Sequence, residues 1–296
     1  MPYFNMDDLD DGVRQKLKEQ LEAARKAGLY DALDPKNEEV IYLEGIEETL
    51  VQYQGHFLQE QPQADSPYGL GKFKPGTSFQ DVMDYRDLDL EFRRKAMTSM
   101  NRFEQNFRAA MVRVIRDQIG SDYEAYTDPQ FMKEEYQLPD GRLIRRGQLK
   151  SRLRRIRSQA DAQPELKRAG SLWLTIKLLS FGLVEDWFFL LPDQYRTAVQ
   201  DQVFGDTMDN ISFEECAKKL ALLRAFRQRA AHNFNLIDWD YQGAPAYPQL
   251  VGALNSLVNP DVVGALQVLA IHDPVSLAQY EEKHPEDMDY IRSRIY

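Results

Sequence analysis

Between Phe92 and Val114 the side chains Phe92, Ala96, Met100, Phe103, Phe107, Ala110 and Val114 recur every three or four positions, the period of one face of an α-helix. A helix of this length with a continuous apolar stripe has to bury that face, and the rest of the chain has to supply the partners. Elsewhere the same period returns, and the strict alternation of a half-buried strand hardly occurs. The expected fold class is all-α.

Caps and breakers divide the pattern into elements. A first helix is expected from about Leu9 to Ala27, with Leu17, Leu21, Ala24 and Leu29 near one face and Gly28 as its stop. A second is expected over roughly Glu38 to Gln59. The stretch Gln59 to Ser78, QEQPQADSPYGLGKFKPGTS, gathers proline, glycine and small polar residues and reads as a loop and internal boundary. Its Gly69, Gly71 and Lys72 lack the spacing of a Walker phosphate loop. Ser78 with Asp81 opens the long helix, which has room for a break near Leu88 and stops at Gly120. Ser212 with Glu215 forms a capping box for another helix, whose stripe is Phe213, Cys216, Leu220, Leu223 and Ala230. Past Tyr241, Leu250, Leu254, Leu257 and then Val262, Leu266, Leu269 predict short helices broken near Pro260 and Pro274. These helices complete the bundle, contact a second copy or cover a cleft. The expected organisation is residues 1–75 as N-terminal helices and loop, 76–240 as a helical core with a basic insert at 142–157, and 241–296 as a C-terminal extension, together one compact unit.

Composition removes several classes. With 43% hydrophobic and 28% charged residues the chain is globular rather than disordered. Cys216 is the single cysteine, which excludes an intrachain disulfide and a multi-cysteine zinc cage and fits a reducing compartment. The start, MPYFNMDDLDD, is acidic and without the apolar run of a secretory signal, so a cytoplasmic location is expected. Leu172 to Leu191, LWLTIKLLSFGLVEDWFFLL, has the length of a bilayer span. Lys177, Glu185 and Asp186 would each cost roughly 2.5–3.5 kcal/mol near the bilayer centre, however, and little at the rim of a buried bundle helix, so no membrane association is expected. His56, His232, His272 and His284 lie far apart with no HExxH pattern, and no GxSxG elbow is present. Neither metal nor cofactor is expected.

Charge is segregated. Arg142 to Arg157, RLIRRGQLKSRLRRIR, holds eight basic residues in sixteen (Arg142, Arg145, Arg146, Lys150, Arg152, Arg154, Arg155 and Arg157) and no acid, in a chain of net charge −10. A basic helix of this kind can neutralise phosphates and release counterions, or it can be a solvated face balanced by the acidic body. It lacks the interleaved aromatics that stack unpaired bases.

The sharpest oddity is Arg227, which falls on the apolar stripe of its helix where an aliphatic residue is expected. A guanidinium is always charged, so it must face a carboxylate, a cleft or a partner chain. His232 follows five residues later, about 140° around a straight helix, so the two reach one spot only through local unwinding, for which Asn233 offers a point, or through a second subunit. A hydrogen-bonded core histidine is the alternative reading of His232. Glu104 and Arg108, one turn apart on the long helix, can form an ion pair.

The sequence Arg227 to His232, RQRAAH, resembles the R-x4-H motif of HEPN ribonuclease domains in the form carried by abortive-infection (Abi) proteins of the AbiD and AbiF type. Further blocks resemble that family in its own order: KAGLYD from Lys26, KPGTSFQDVMDYRDLDLEFRR from Lys74, RFEQNFR from Arg102 and LWLTIKLLSFG from Leu172. The resemblance covers roughly Lys26 to Asn235. It implies a helical HEPN bundle that dimerises so that the Arg and His of two subunits line a shared cleft, with metal-independent cleavage of RNA directed against phage infection. By that resemblance Arg227, His232 and Glu104 are catalytic, with Glu104 pairing Arg227, and Arg108, Gln228 and Asn233 bind substrate. Gln228 stands where the family more often has Asn, and Asn233 where it often has a second His; both leave amide chemistry in place. RNA is the expected partner as substrate or regulator, and a homodimer is expected, with an antitoxin or phage trigger left open. Two other functions fit the residues: a non-catalytic module holding a structured RNA on Arg142 to Arg157, and a helical interaction scaffold whose basic segment docks on an acidic partner.

Overall fold

The computed structural model describes residues 9–162, 171–204, 212–257 and 274–296. The helix foreseen over Val262, Leu266 and Leu269, the break at Pro260, His272 and the first eight residues lie outside them. Asp10 accepts the Gly12 N–H at 2.8 Å and opens α1 (Asp11–Lys26), which buries Leu17, Leu21 and Ala24. Gly28, at φ 117°, turns the chain away from it as expected. Asp34 caps α2 (Pro35–Glu44), with proline in the first turn where no N–H is needed. The single helix expected up to Gln59 does not form, because Gly45, at φ 85°, ends α2. A π turn (Glu47–Val51) and a 3₁₀ turn (Gln54–Phe57) follow. Within the proline- and glycine-rich loop, β1 (Leu58–Glu60) pairs with β2 (Lys72–Phe73).

Ser78 and Asp81 cap each other's backbone, the Ser78 N–H donating to Asp81 at 2.7 Å and the Asp81 N–H to Ser78 at 3.0 Å. The helix they open, α3 (Phe79–Gln118), runs 40 residues without a break at Leu88. After it come α4 (Tyr123–Tyr126), the hairpin of β3 (Glu135–Gln137) and β4 (Leu143–Arg145), α5 (Arg146–Asp161), α6 (Ser171–Leu178), α7 (Phe181–Leu190), α8 (Asp193–Phe204) and α9 (Phe213–Ala231). The basic segment is thus not one helix: Leu143 to Arg145 is a strand and α5 begins at Arg146. The apolar run Leu172 to Leu191 is two helices, because Ser180 caps a new start at α7. Among the described residues no helix is long and apolar enough to cross a membrane. A two-residue ladder of β5 (Asp240–Tyr241) with β6 (Ala244–Pro245) leads into α10 (Ala246–Leu257), and α11 (Pro274–Lys283) and α12 (Met288–Ile295) end the chain. The fold is all-α, with three small antiparallel strand pairs among the described residues.

These elements form two compact units whose boundaries fall within α3, α9 and α10 among the described residues. One holds the described residues 9–95, 229–247 and 274–296. Its core includes Leu50, Tyr53, Phe79, Val82, Tyr85, Phe92, Ile237 and Tyr247, all buried. The other holds 96–162, 171–204, 212–228 and 248–257. It is centred on an aromatic cluster in which Phe107 lies 5.8 Å from Phe181 and 5.3 Å from Phe188, ring centre to ring centre, edge to face. Each such ring buries roughly 1.5–3 kcal/mol of transfer free energy, which is what the stripe on α3 is for.

Candidate active site

In the unit that begins at Ala96, Glu104 on α3 sits between two guanidiniums. Arg108, one turn on, donates to it from Nε at 3.0 Å and from Nη2 at 2.6 Å, and Arg227 Nε on α9 lies 3.0 Å from its other oxygen. The Arg227 side chain is 40% exposed and that of Glu104 13%, so Arg227 is not buried as its place on the stripe suggested: it leans out of the core onto a carboxylate. Arg108 spends two further donors on the carbonyls of Ile176 and Leu179, tying off the end of α6. Four of its five N–H groups thus hold Glu104 and α6 in place. Gln228 is exposed on α9.

The helix carrying Arg227 is anchored at three points. Ser212 caps it, accepting the Glu215 N–H at 3.1 Å. Arg196, itself buried, lies 4.0 Å from the Phe213 ring centre. Arg224, one turn before Arg227, pairs at 2.9 Å with Glu185 on α7, which is 1% exposed. Burial pushes the Glu185 carboxyl up to about 8, Arg224 opposing and neighbouring Asp186 adding to it. Because the folded value lies above the unfolded one, this group's contribution to stability is full below about pH 4.5 and is lost as pH rises through about 8. Glu185→Gln should remove that loss. Thermal melts at pH 8.5 should then show the variant ahead of wild type by about 1 kcal/mol or more, a few degrees in Tm; a variant that melts lower at every pH would overturn this account.

His232 follows α9 as an exposed residue in a turn. The helix unwinds where expected, at Asn233, which takes a left-handed φ of 60°. The segment beyond it is pinned inside the other unit. Arg93 donates to the Asn233 side chain at 3.0 Å and Gln52 to its carbonyl at 2.7 Å. Both Asn233 oxygens thus accept from the protein itself. Asp89, fully buried, accepts the N–H groups of Leu236 and Ile237 on one oxygen and the Tyr53 hydroxyl and Arg93 on the other. Asp238 accepts the hydroxyls of Tyr85 and Tyr290, both at 2.6 Å. Arg294 of α12 donates to the Ile237 carbonyl at 2.9 Å. Helix α12 therefore holds the turn that follows His232.

A protein-family model described as Abi-like protein matches residues 49–238, more than half of the chain. The chain belongs to the Abi-like family. No curated protein and no solved structure matches it. Membership gives the protein the phage-defence role of abortive infection. The Abi-like span contains Glu104, Arg227 and His232 together with Tyr53, Asp89, Arg93 and Asp238, whereas α1, α2, α11 and α12 lie outside it.

Sequence reasoning had no place for Asp89 and Arg93. A signal existed: Val82, Tyr85, Asp89, Phe92 and Ala96 share one three–four stripe, so Asp89 is an acid where an apolar residue belongs. Of the eight basic residues at 142–157, four meet carboxylates: Arg142 with Asp186, Arg145 with Glu135, Arg146 with Glu134 and Arg157 with Glu124. Lys150, Arg152, Arg154 and Arg155 on α5 pair with no acid among the described residues. One carboxylate–imidazole group converges among the described residues: the ligand atoms of His284, Glu286 and Asp287 lie within 4.8 Å of one another. His284 is already bonded to Asp84 at 3.0 Å, and Asp287 to His56 at 2.7 Å and Tyr280 at 3.0 Å, so the group is knit by its own hydrogen bonds.

Proposed function

We propose that this Abi-like protein is a metal-independent endoribonuclease of the HEPN type, acting as a cytoplasmic homodimer. The observation that carries the reading is the half-exposed Arg227 guanidinium held at 3.0 Å by Glu104, in the helix that ends immediately before the exposed His232. An imidazole can take a proton near neutral pH. His232 removes the proton of an RNA 2′-hydroxyl, whose oxygen attacks the adjacent phosphorus as the bond to the 5′-oxygen breaks. The products are a 2′,3′-cyclic phosphate and a 5′-hydroxyl, the leaving oxygen recovering a proton. Arg227 holds the nonbridging oxygens as their charge grows, with a fork that matches phosphate geometry. Glu104 fixes the plane of that fork.

The test is incubation of purified protein with mixed single-stranded RNA in EDTA, followed by end-group analysis. Fragments ending in 2′,3′-cyclic phosphate support the reading; intact RNA that shifts on a gel would favour the module that binds without cutting. The four cations of α5 that meet no acid among the described residues support a sequence-independent hold on the strand. Replacing Arg152, Arg154 and Arg155 together by alanine should flatten the plot of log affinity against log salt by about two; an unchanged slope would remove α5 from the interface.

A further inference from the structure

A groove of 420 Å³ runs between α3 and α6, bordered by Arg108, Val112 and Arg113 on the first helix and by Trp173, Ile176 and Lys177 on the second. That volume is within the range of small-molecule sites, roughly 300–1,000 Å³. Its floor is apolar. Trp173 is 37% exposed, unusual for the largest aromatic side chain, and the Lys177 ammonium lies 4.8 Å from the centre of its ring. Among the described residues no carboxylate lines the groove. Arg113 donates to Gln202 at 2.8 Å, and neither it nor Lys177 meets an acid among the described residues. Arg108 is the link to the candidate active site, because the carboxylate it grips, Glu104, is the one that holds Arg227.

An exposed indole over an apolar floor, beside two cations that meet no acid among the described residues, suits a ligand with a flat π face and a negative charge close by. A second copy of the chain meeting this face about a two-fold axis would set cation against cation. We propose that the groove is a base-binding subsite in which one unpaired nucleotide of single-stranded RNA stacks on Trp173 while Lys177 and Arg113 hold its flanking phosphates. The subsite rests on the ribonuclease reading and specifies where the strand lies next to Glu104 and Arg227. It also supplies the stacking platform that the basic segment at 142–157 lacks.

The test uses the full chain and a fluorescein-labelled 2′-O-methyl RNA ten-mer of mixed sequence, which cannot be cleaved. Trp173→Ala should raise the Kd about tenfold or more, and Trp173→Phe, which keeps a ring, should stay within about threefold of wild type. A ten-mer without bases should bind wild type and Trp173→Ala equally. Lys177→Ala should lower the salt slope by about one for every sequence tried. Equal affinity of wild type and Trp173→Ala for the intact ten-mer would overturn the proposal, as would a change in sedimentation of Trp173→Ala with RNA binding untouched, which would make this face a contact between copies. Because the probe is inert, failure of cleavage leaves this measurement standing. Cleavage that depends on His232 together with RNA binding indifferent to Trp173 would sink the subsite alone.

Discussion

Alanine at His232 is expected to lower cleavage about 10²- to 10⁴-fold in the EDTA assay, the usual worth of a general base, with RNA binding kept within a few-fold of wild type. The side chain is exposed in a turn, so its removal should change stability by no more than about 0.5 kcal/mol. Arg227→Ala should cost about 10²- to 10³-fold, the loss of one preorganised donor to a developing oxyanion. It leaves Glu104 still paired with Arg108 at 2.6 Å, so no buried carboxylate is orphaned and the fold should hold. Arg227→Lys keeps the charge but not the fork and should recover only part of the rate. Cleavage by His232→Ala at the wild-type rate would remove the histidine from the chemistry.

Asp89→Ala is expected to cost about 3–5 kcal/mol in denaturant unfolding, because it strips the partners from two main-chain N–H groups, a hydroxyl and a guanidinium in the core. Arg93 would keep its bonds to Tyr53 and Asn233 but lose the charge that balances it. Asp89→Asn retains an oxygen for Leu236 and Ile237 and should cost less. Burial pushes the Asp89 carboxyl up to about 6, against Arg93 and the two N–H groups. Being raised, its contribution is full below about pH 4 and falls as pH rises through about 6. The stability gap between wild type and Asp89→Asn should therefore narrow over that interval; a gap that widens would contradict the assignment. Cleavage should fall with stability in both variants, since the turn after His232 hangs on this carboxylate.

Abortive infection gives these effects a cellular readout, but the physical roles separate without one. His232 and Arg227 are expected to change rate at constant stability, and Asp89 to change both. The basic segment and Trp173 are expected to change binding alone.

Much of this was written locally. The three–four stripe on α3, the reciprocal Ser78–Asp81 cap, the Ser212 cap of α9, the turn at Gly28 and the unwinding at Asn233 all depend on groups within about five residues of one another, so the sequence alone determined them. The family blocks and the oddity of Arg227 were equally legible, since an arginine on an apolar stripe demands a partner wherever it ends up. What the tertiary structure decided is who that partner is and who else is buried. Glu104 lies more than a hundred positions from Arg227, and Asp89 about as many again from the N–H groups it receives, so no local pattern names either pair. Each carboxylate has one arginine a turn away on its own helix, Arg93 for Asp89 and Arg108 for Glu104, but its other partners arrive only where distant segments converge; the same convergence made half of the basic segment unavailable, as in turning Arg142 to Asp186 and Arg146 to Glu134. Hydrophobic period and capping are short-range and survive in one dimension; the desolvation of a charge, and the donors that make it tolerable, exist only in three.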